Sequence, residues 1–454
     1  MFPIRTMNVV KLRFTHARSA LFFNIMLFLC AACSVRSALA DDGMRKVQSK
    51  HLVLYTDLPA SQEVDELPDV FDAMIPALCN FFNLNPKNYE TFTATGYLID
   101  DEKKFDSSGA LRQVPKLRNG YALRQRFWLR KQDSPYYQRH LFIHEGVHLF
   151  MEYAFGGWGP PWYREGTAEF LGTHQWNNGK LELGYFPKDR KELLRWGRID
   201  ILQNDFRNHN GKTLDDVFHL AAENYNENEA YSWSWAFAAF CVHHPLYANA
   251  YRKTARYLNG KADEAANRFL TLVAEESKKK KEELNETQIV NRLENEWADF
   301  VRNVEYGYDF ERTAVVYRST TAEQRATVSV LAARGWQSSG IALERGKTYR
   351  ITASGRFQLG NKPSPWMSEP NGITIRYHHG LPIGTLSAAQ IPDINERFLV
   401  KPETPGIGFA FPKVIGTGTE WKAEVSGMLY FRINDFPSEL EDNSGTAEVK
   451  IEEK

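Results

Sequence analysis

The run Leu141-Phe142-Ile143-His144-Glu145-Gly146-Val147-His148-Leu149-Phe150-Met151 constrains this chain most. Its apolar residues leave no polar side at helical spacing, so a helix here must be buried around most of its circumference. It nevertheless carries two histidines and a glutamate, and unpartnered polar groups are costly in a core. The spacing offers a resolution. His144 and His148 stand one turn apart on one helical face, where both imidazoles can reach a single metal ion. Glu145 projects beside that ion, placed to act as a general base on a metal-bound water. A catalytic zinc takes three protein ligands and keeps a fourth position open, so the motif is one ligand short.

Glu165 is the candidate for that ligand. Ser134-Pro135 reads as a cap and first position for the motif helix, and Gly156 to Pro161 ends it. Trp162-Tyr163-Arg164-Glu165-Gly166-Thr167-Ala168-Glu169 then opens a second helix, with Glu165 and Glu169 one turn apart. Sixteen residues lie between His148 and Glu165, enough for two helical turns, a reversal and entry into an antiparallel helix. This arrangement resembles the gluzincin clan of zinc peptidases, with Trp162, Glu165, Gly166 and Ala168 matching the clan's W-x-x-E-G-x-A pattern. The resemblance covers roughly residues 45 to 310 and is closest to secreted bacterial proteins of a peptidase-MA-like superfamily. It implies that His144, His148 and Glu165 hold Zn²⁺ and that Glu145 activates the water. Glu169 would orient a ligand histidine through its other ring nitrogen, or else be an ordinary helix-surface acid. A tyrosine or histidine near the developing oxyanion is also implied. Tyr231 is the candidate, with Tyr225 behind it. His243 and His244 end their helix beside Pro245 and read as partners of its C-terminal dipole.

The N-terminus reads as an export signal. Lys11, Arg13 and Arg18 precede an apolar run from Ala20 to Ala32, followed by Ala38-Leu39-Ala40 and the acidic Asp41-Asp42. The run is short for a membrane span, so release after Ala40 is expected, with an uncleaved anchor as the alternative. The mature protein would be periplasmic, cell-surface or extracellular, with no stable membrane span. Cys30 and Cys33 would leave with the signal, and Cys79 and Cys241 would remain as one bridge or as two buried thiols. Lys+Arg and Asp+Glu both number 56, so no basic excess points to nucleic acid.

The rest of the chain divides at Tyr317. Before it, Lys50 to Thr56 and Phe92 to Leu98 read as strands, and Val64 to Leu78 recurs at helical spacing. Asp100 to Pro115 reads as a polar connection. Tyr121 to Leu129 alternates as one half-exposed strand. It is either the edge on which a peptide docks or an edge guarded by Arg124, Arg126 and Arg130. Leu193 to Phe310 is helix-rich, with Trp233, Trp235, Phe237 and Phe240 as a core stripe, and Lys278 to Lys281 reads as a solvated face. After Tyr317, segments such as Tyr349 to Ala353 and Gly427 to Ile433 read as strands of a separate sandwich. The expected organisation is a signal at 1–40, an α+β metallopeptidase domain at 41–317 (small N-terminal sheet, helix-rich C-terminal part), and an all-β sandwich at 318–454.

Near the end, Phe431-Arg432-Ile433-Asn434-Asp435-Phe436-Pro437 leads to Asp442-Asn443-Ser444-Gly445. This resembles the galactose-binding-like sandwich of bacterial galactophilic lectins. The likeness implies Ca²⁺ on Asp435, Asp442 and Asn443, with backbone oxygens of Leu359 and Glu439. The sugar-contacting His and Gln of those lectins fall on Ser368 and Asn371, a departure that bears against galactose. The expected activity is hydrolysis of peptide or protein substrates. The alternative is a non-catalytic secreted protein that binds a glycan or surface through its sandwich; Glu145 weighs against it, because metal binding alone does not need that residue.

Overall fold

The computed structural model describes residues 44–454 apart from 115–116, 158, 259–261, 283, 319–324 and 402, so the signal expected at 1–40 lies outside the described residues. The chain begins with a five-stranded sheet of order β1-β2-β3-β5-β4. Its strands are β1 (Arg45–Gln48), β2 (Leu52–Thr56), β3 (Ala94–Ile99), β4 (Gly120–Leu123) and β5 (Arg126–Arg130). β2, β3 and β5 run parallel, whereas β1 and β4 close the two edges antiparallel. One face of the sheet carries Leu52, Leu54, Leu98 and Phe127 into the main core, and the other carries Tyr97, Ile99 and Trp128 into a smaller one. That is the two-residue alternation of a sheet covered on both sides.

Two details differ from the sequence reading. Tyr121 to Leu129 is a hairpin rather than one strand: Arg124 turns the chain at φ 56°, and β4 alone is the edge. The exposed run Arg124-Gln125-Arg126 forms the turn, and Phe127, Trp128 and Leu129 of β5 are all buried rather than alternating. The polar connection after Asp100 contains a short helix, α3 (Glu102–Ser107), capped by the Asp101 side chain.

The first helices are α1 (Gln62–Asp65) and α2 (Leu67–Phe82), the latter ending on Asn83 in the left-handed conformation. α4 (Pro135–Phe155) carries the motif, with Ser134 Oγ accepting from the Tyr137 amide at 3.2 Å and Gly156 closing the helix at φ 70°. Phe142 meets Phe71 and Phe127 edge-on, with ring centroids 5.8 and 5.3 Å apart. Gly146 is fixed by this packing, since a Cβ there would lie 2.5 Å from Met74 Cε of α2. α5 (Pro161–Gly172) folds back on α4, and a small hairpin of β6 (His174–Asn177) and β7 (Lys180–Leu183) follows. The helical remainder comprises α6 (Arg198–Arg207), α7 (Leu214–Phe218), α8 (Asn228–His243), α9 (Ala248–Thr254), α10 (Ala262–Lys279), α11 (Glu286–Asn303) and α12 (Phe310–Thr313). Trp233, Trp235 and Phe237 on α8 are fully buried. Gly166 brings α5 against α8, because a Cβ there would lie 2.6 Å from the Ser234 carbonyl oxygen. Cys79 and Cys241 are buried free thiols.

The C-terminal part is a β-sandwich with its own core, built on Val330, Ile351, Leu386, Leu429, Phe431 and Val449 among others. One sheet contains β8 (Arg325–Leu331), β10 (Thr348–Ser354), β11 (Phe357–Leu359), β12 (Met367–Ser368), β16 (Gly418–Lys422) and β18 (Asn443–Glu453). The other contains β9 (Gln337–Leu343), β13 (Asn371–His378), β14 (Leu381–Pro392), β15 (Lys413–Val414) and β17 (Gly427–Ile433). The sandwich is tied to α11 at Asp299, whose Oδ1 accepts from Trp336 Nε1 at 3.0 Å and Arg432 Nη1 at 3.1 Å.

Candidate metal centre

The antiparallel pairing of α4 and α5 brings the three expected ligands together. His144 Nε2 and His148 Nε2 are 3.0 Å apart, and each lies 3.3 Å from Glu165 Oε2. A tetrahedral zinc with bonds of about 2.0–2.1 Å has ligand atoms about 3.3 Å from one another. The three side chains therefore already trace one face of such a polyhedron. All three are at most 9 % exposed. A divalent ion placed among the two imidazole nitrogens and the carboxylate would satisfy all three at once. The residues fit zinc.

The surroundings hold the ligands in place. Glu165 keeps Oε2 for the cluster because Arg164 Nε holds its other oxygen at 2.7 Å. Glu169 lies one turn further along α5 and collects four contacts. Its Oε1 is 3.3 Å from His144 Nδ1 and from Arg198 Nη2, and its Oε2 is 3.0 Å from Arg198 Nε and 3.2 Å from His140 Nε2. The His144 contact has ion-pair distance without hydrogen-bond alignment. Glu169 is 1 % exposed, which rules out the surface-acid alternative. His140 and Arg198 were not singled out in the sequence. The helical step from His144 back to His140 was the available signal for one, whereas Arg198 is distant in sequence and had none.

Charge in the cluster follows these contacts. Burial works against the ionised forms of Glu165 and Glu169. His148 and His144 outweigh it for Glu165, and Arg198 and His140 do so for Glu169, leaving both carboxyls well below the usual range. Burial likewise opposes a charged His144, but Glu165 and Glu169 raise it to about 10. His148 is lowered to about 4, chiefly by burial. Glu145 is raised to about 7 by burial, with His144 pulling the other way. Its Oε1 rests against Gly120 of β4, where a Cβ would stand only 2.3 Å away. Glu145 is thus held between the candidate ligands and the edge strand.

Tyr231 of α8 faces the cluster, its ring centroid 6.0 Å from that of His144 and 5.8 Å from the Arg198 guanidinium carbon. Burial raises its hydroxyl strongly, helped by the charges of Glu165, Glu169 and Glu145. The Tyr225 hydroxyl lies 2.5 Å from Ser234 Oγ, and its ring packs edge-on to Tyr231. His243 stacks on Phe310 and His244 pairs with Glu296, so neither joins the site. A cavity of about 500 Å³ is lined by Asn119, Tyr137, Arg198 and Asn228 among others, and none of the three candidate ligands lines it.

In the sandwich, Asp435 and Asn443 meet: Asn443 Nδ2 donates to Asp435 Oδ2 at 2.9 Å, and both are buried. Burial raises the Asp435 carboxyl to about 6. Asn443 Oδ1 is buried with no donor. Asp442 is half-exposed at the end of the 3₁₀ turn Pro437–Asp442. Leu359 pairs with Asn443 across β11 and β18, and the Glu439 side chain accepts from Arg376. Among the described residues, groups of three histidine, cysteine or acidic ligand atoms gather only around His144. Ser368 and Asn371 serve the fold, bonding the Glu369 carbonyl and the Thr417 amide.

No family model and no curated protein matches the sequence. Among solved structures, the chain is similar to "EclA N-terminal domain; PllA-like lectin", with 19% identity and a TM-score of 0.22 over 29% of this chain and 100% of that one. Among the described residues no helix is long and apolar enough to cross a membrane.

Proposed function

We propose that this protein is an exported zinc-dependent peptidase of gluzincin type. One observation carries the reading: His144 Nε2, His148 Nε2 and Glu165 Oε2 converge at 3.0–3.3 Å, with Glu145 beside them. Zinc, when bound, would supply the Lewis acid that polarises the scissile carbonyl. Glu145 takes a proton from the attacking water as the new carbon–oxygen bond forms. It then delivers that proton to the departing amine as the carbon–nitrogen bond breaks. With a carboxyl raised to about 7, Glu145 can hold and release a proton near neutral pH. Tyr231, kept protonated by burial, is the donor placed to stabilise the oxyanion. The experiment is Glu145→Gln in the zinc-loaded mature protein: cleavage of a generic protein substrate is lost while zinc content stays. Unaltered cleavage refutes the assignment.

A second reading concerns the sandwich and rests on Asn443 Oδ1, buried without a donor beside Asp435. We propose that this pair holds Ca²⁺ and supports a glycan-binding face, with carboxylate and amide oxygens suited to a hard cation. Calcium should raise the thermal stability of the wild type and leave Asp435→Ala unmoved. Equal responses in both proteins refute the site.

A further inference from the structure

A cavity of about 630 Å³ is bounded by Glu152 and Tyr153 on α4 and by Thr95, Arg124 and Arg126 on the sheet. Helical geometry places it. Glu152 follows Glu145 by seven residues, which returns it to within about 20° of the same face and about 10 Å further along the axis. β4 makes the same journey: Gly120 rests on Glu145, and Leu123, three residues on, is also on the cavity wall. At a strand rise of about 3.3 Å per residue that is again about 10 Å. β4 is the outermost strand of its sheet, and it runs from Gly120, against Glu145, to Leu123 at the cavity wall.

The charged groups at the far end lack partners. Arg130, the third basic residue of this hairpin, is paired with Glu102 and bonds the Arg118 carbonyl. Arg124 and Arg126 are exposed and make no ion pair among the described residues. Arg124 stands at φ 56°, where glycine or asparagine would sit with less strain, so the turn itself does not call for an arginine. Across from them, Glu152 Oε2 is buried with no hydrogen-bond partner. Two exposed guanidinium groups without an ion-pair partner on one cavity wall suit a chain that brings an anion.

We infer that this cavity is a substrate subsite selecting an acidic side chain about three residues from the scissile bond. Arg124 and Arg126 contact that carboxylate. The inference rests on the peptidase reading and extends it to substrate class. The excess of two cations over one anion decides the sign of the preference.

The test uses the zinc-loaded full mature chain and peptides carrying Asp, Ala or Lys at each of four positions on either side of a fixed scissile bond. Two partly exposed charge contacts give an expected preference for Asp over Lys of about 10-fold in kcat/KM at one position. The Arg124→Glu/Arg126→Glu variant inverts that ratio. The same peptides are scored for binding to Glu145→Gln protein. Cleavage indifferent to charge at every position, or a preference that survives the double charge reversal, overturns the subsite and leaves the peptidase reading intact. Acidic peptides bound through Arg124 and Arg126 but never cut overturn the peptidase reading and keep the subsite. Neither binding nor cleavage overturns both.

Discussion

Gly120→Ala separates the role of Glu145 from that of the metal ligands. The Cβ introduced at residue 120 would lie 2.3 Å from Glu145 Oε1 and 3.0 Å from its carboxyl carbon. Ordinary contact lies near 3.4 Å, so the carboxylate must retreat by about 1 Å. Gly120 has a backbone conformation open to alanine, and the atom displaced is the tip of a side chain. The expected loss of stability is therefore below about 1 kcal/mol, a shift of a few degrees in Tm. Catalysis is less forgiving: a 1 Å displacement of a reacting group costs about 10²-fold, or about 2.7 kcal/mol of transition-state stabilisation. Zinc content should not change, because Glu145 is not among the proposed ligands. Cleavage rate, zinc stoichiometry and Tm are measured on the same preparation, together with Gly120→Ala/Glu145→Gln. Since both changes act on one group, the double variant should be little worse than Glu145→Gln alone. Full activity in Gly120→Ala would refute the placement of Glu145. Zinc lost in step with activity would show that Gly120 supports the cluster as a whole.

Three further outcomes follow from the same contacts. Glu169→Gln weakens the hold on His144 Nδ1 and should lower zinc affinity about 10–100-fold in chelator competition, and it should also lower Tm, because the buried Arg198 loses its carboxylate partner. Tyr231→Phe should reduce kcat about 10²-fold with KM and zinc content nearly unchanged, as removal of an oxyanion donor does; a loss confined to KM would assign it to substrate binding instead. His378 in the sandwich is lowered to about 3, mainly by burial and then by Arg432. The unfolded chain therefore takes up its proton first as pH falls below about 6.5, and stability declines with it, by about 2 kcal/mol at pH 5. The fall in Tm between pH 7 and pH 5 should be smaller in His378→Phe, and an equal fall in both proteins would contradict this.

The parts of this molecule legible in its sequence were those specified locally. The motif helix and its Ser134 cap, the break at Gly156 and the return helix with Glu165 are all set by residues within one or two turns. The helix-rich centre and the separate sandwich were legible from their hydrophobic periods. The hairpin at Arg124 was hidden because an arginine holds a turn usually marked by glycine or asparagine. Arg198 was hidden for a different reason. Its bond to Glu169 exists because α5 and α6 both pack against α8, and no spacing rule links residues that far apart. Gly146 and Gly166 appeared as motif letters, and the packing now gives each a reason in Met74 and the Ser234 carbonyl. The cavity beyond Glu152 likewise depends on how β4 lies along α4.

The central claim is that one zinc ion is held by His144, His148 and Glu165. Zinc-edge X-ray absorption on the purified mature protein tests it most directly. The expected result is about one zinc per chain, with a first shell of two imidazole nitrogens and carboxylate or water oxygens at about 2.0–2.2 Å. The signal should be absent from Glu165→Ala purified in the same way. A protein without stoichiometric zinc, or zinc in a shell without imidazole, would contradict the account.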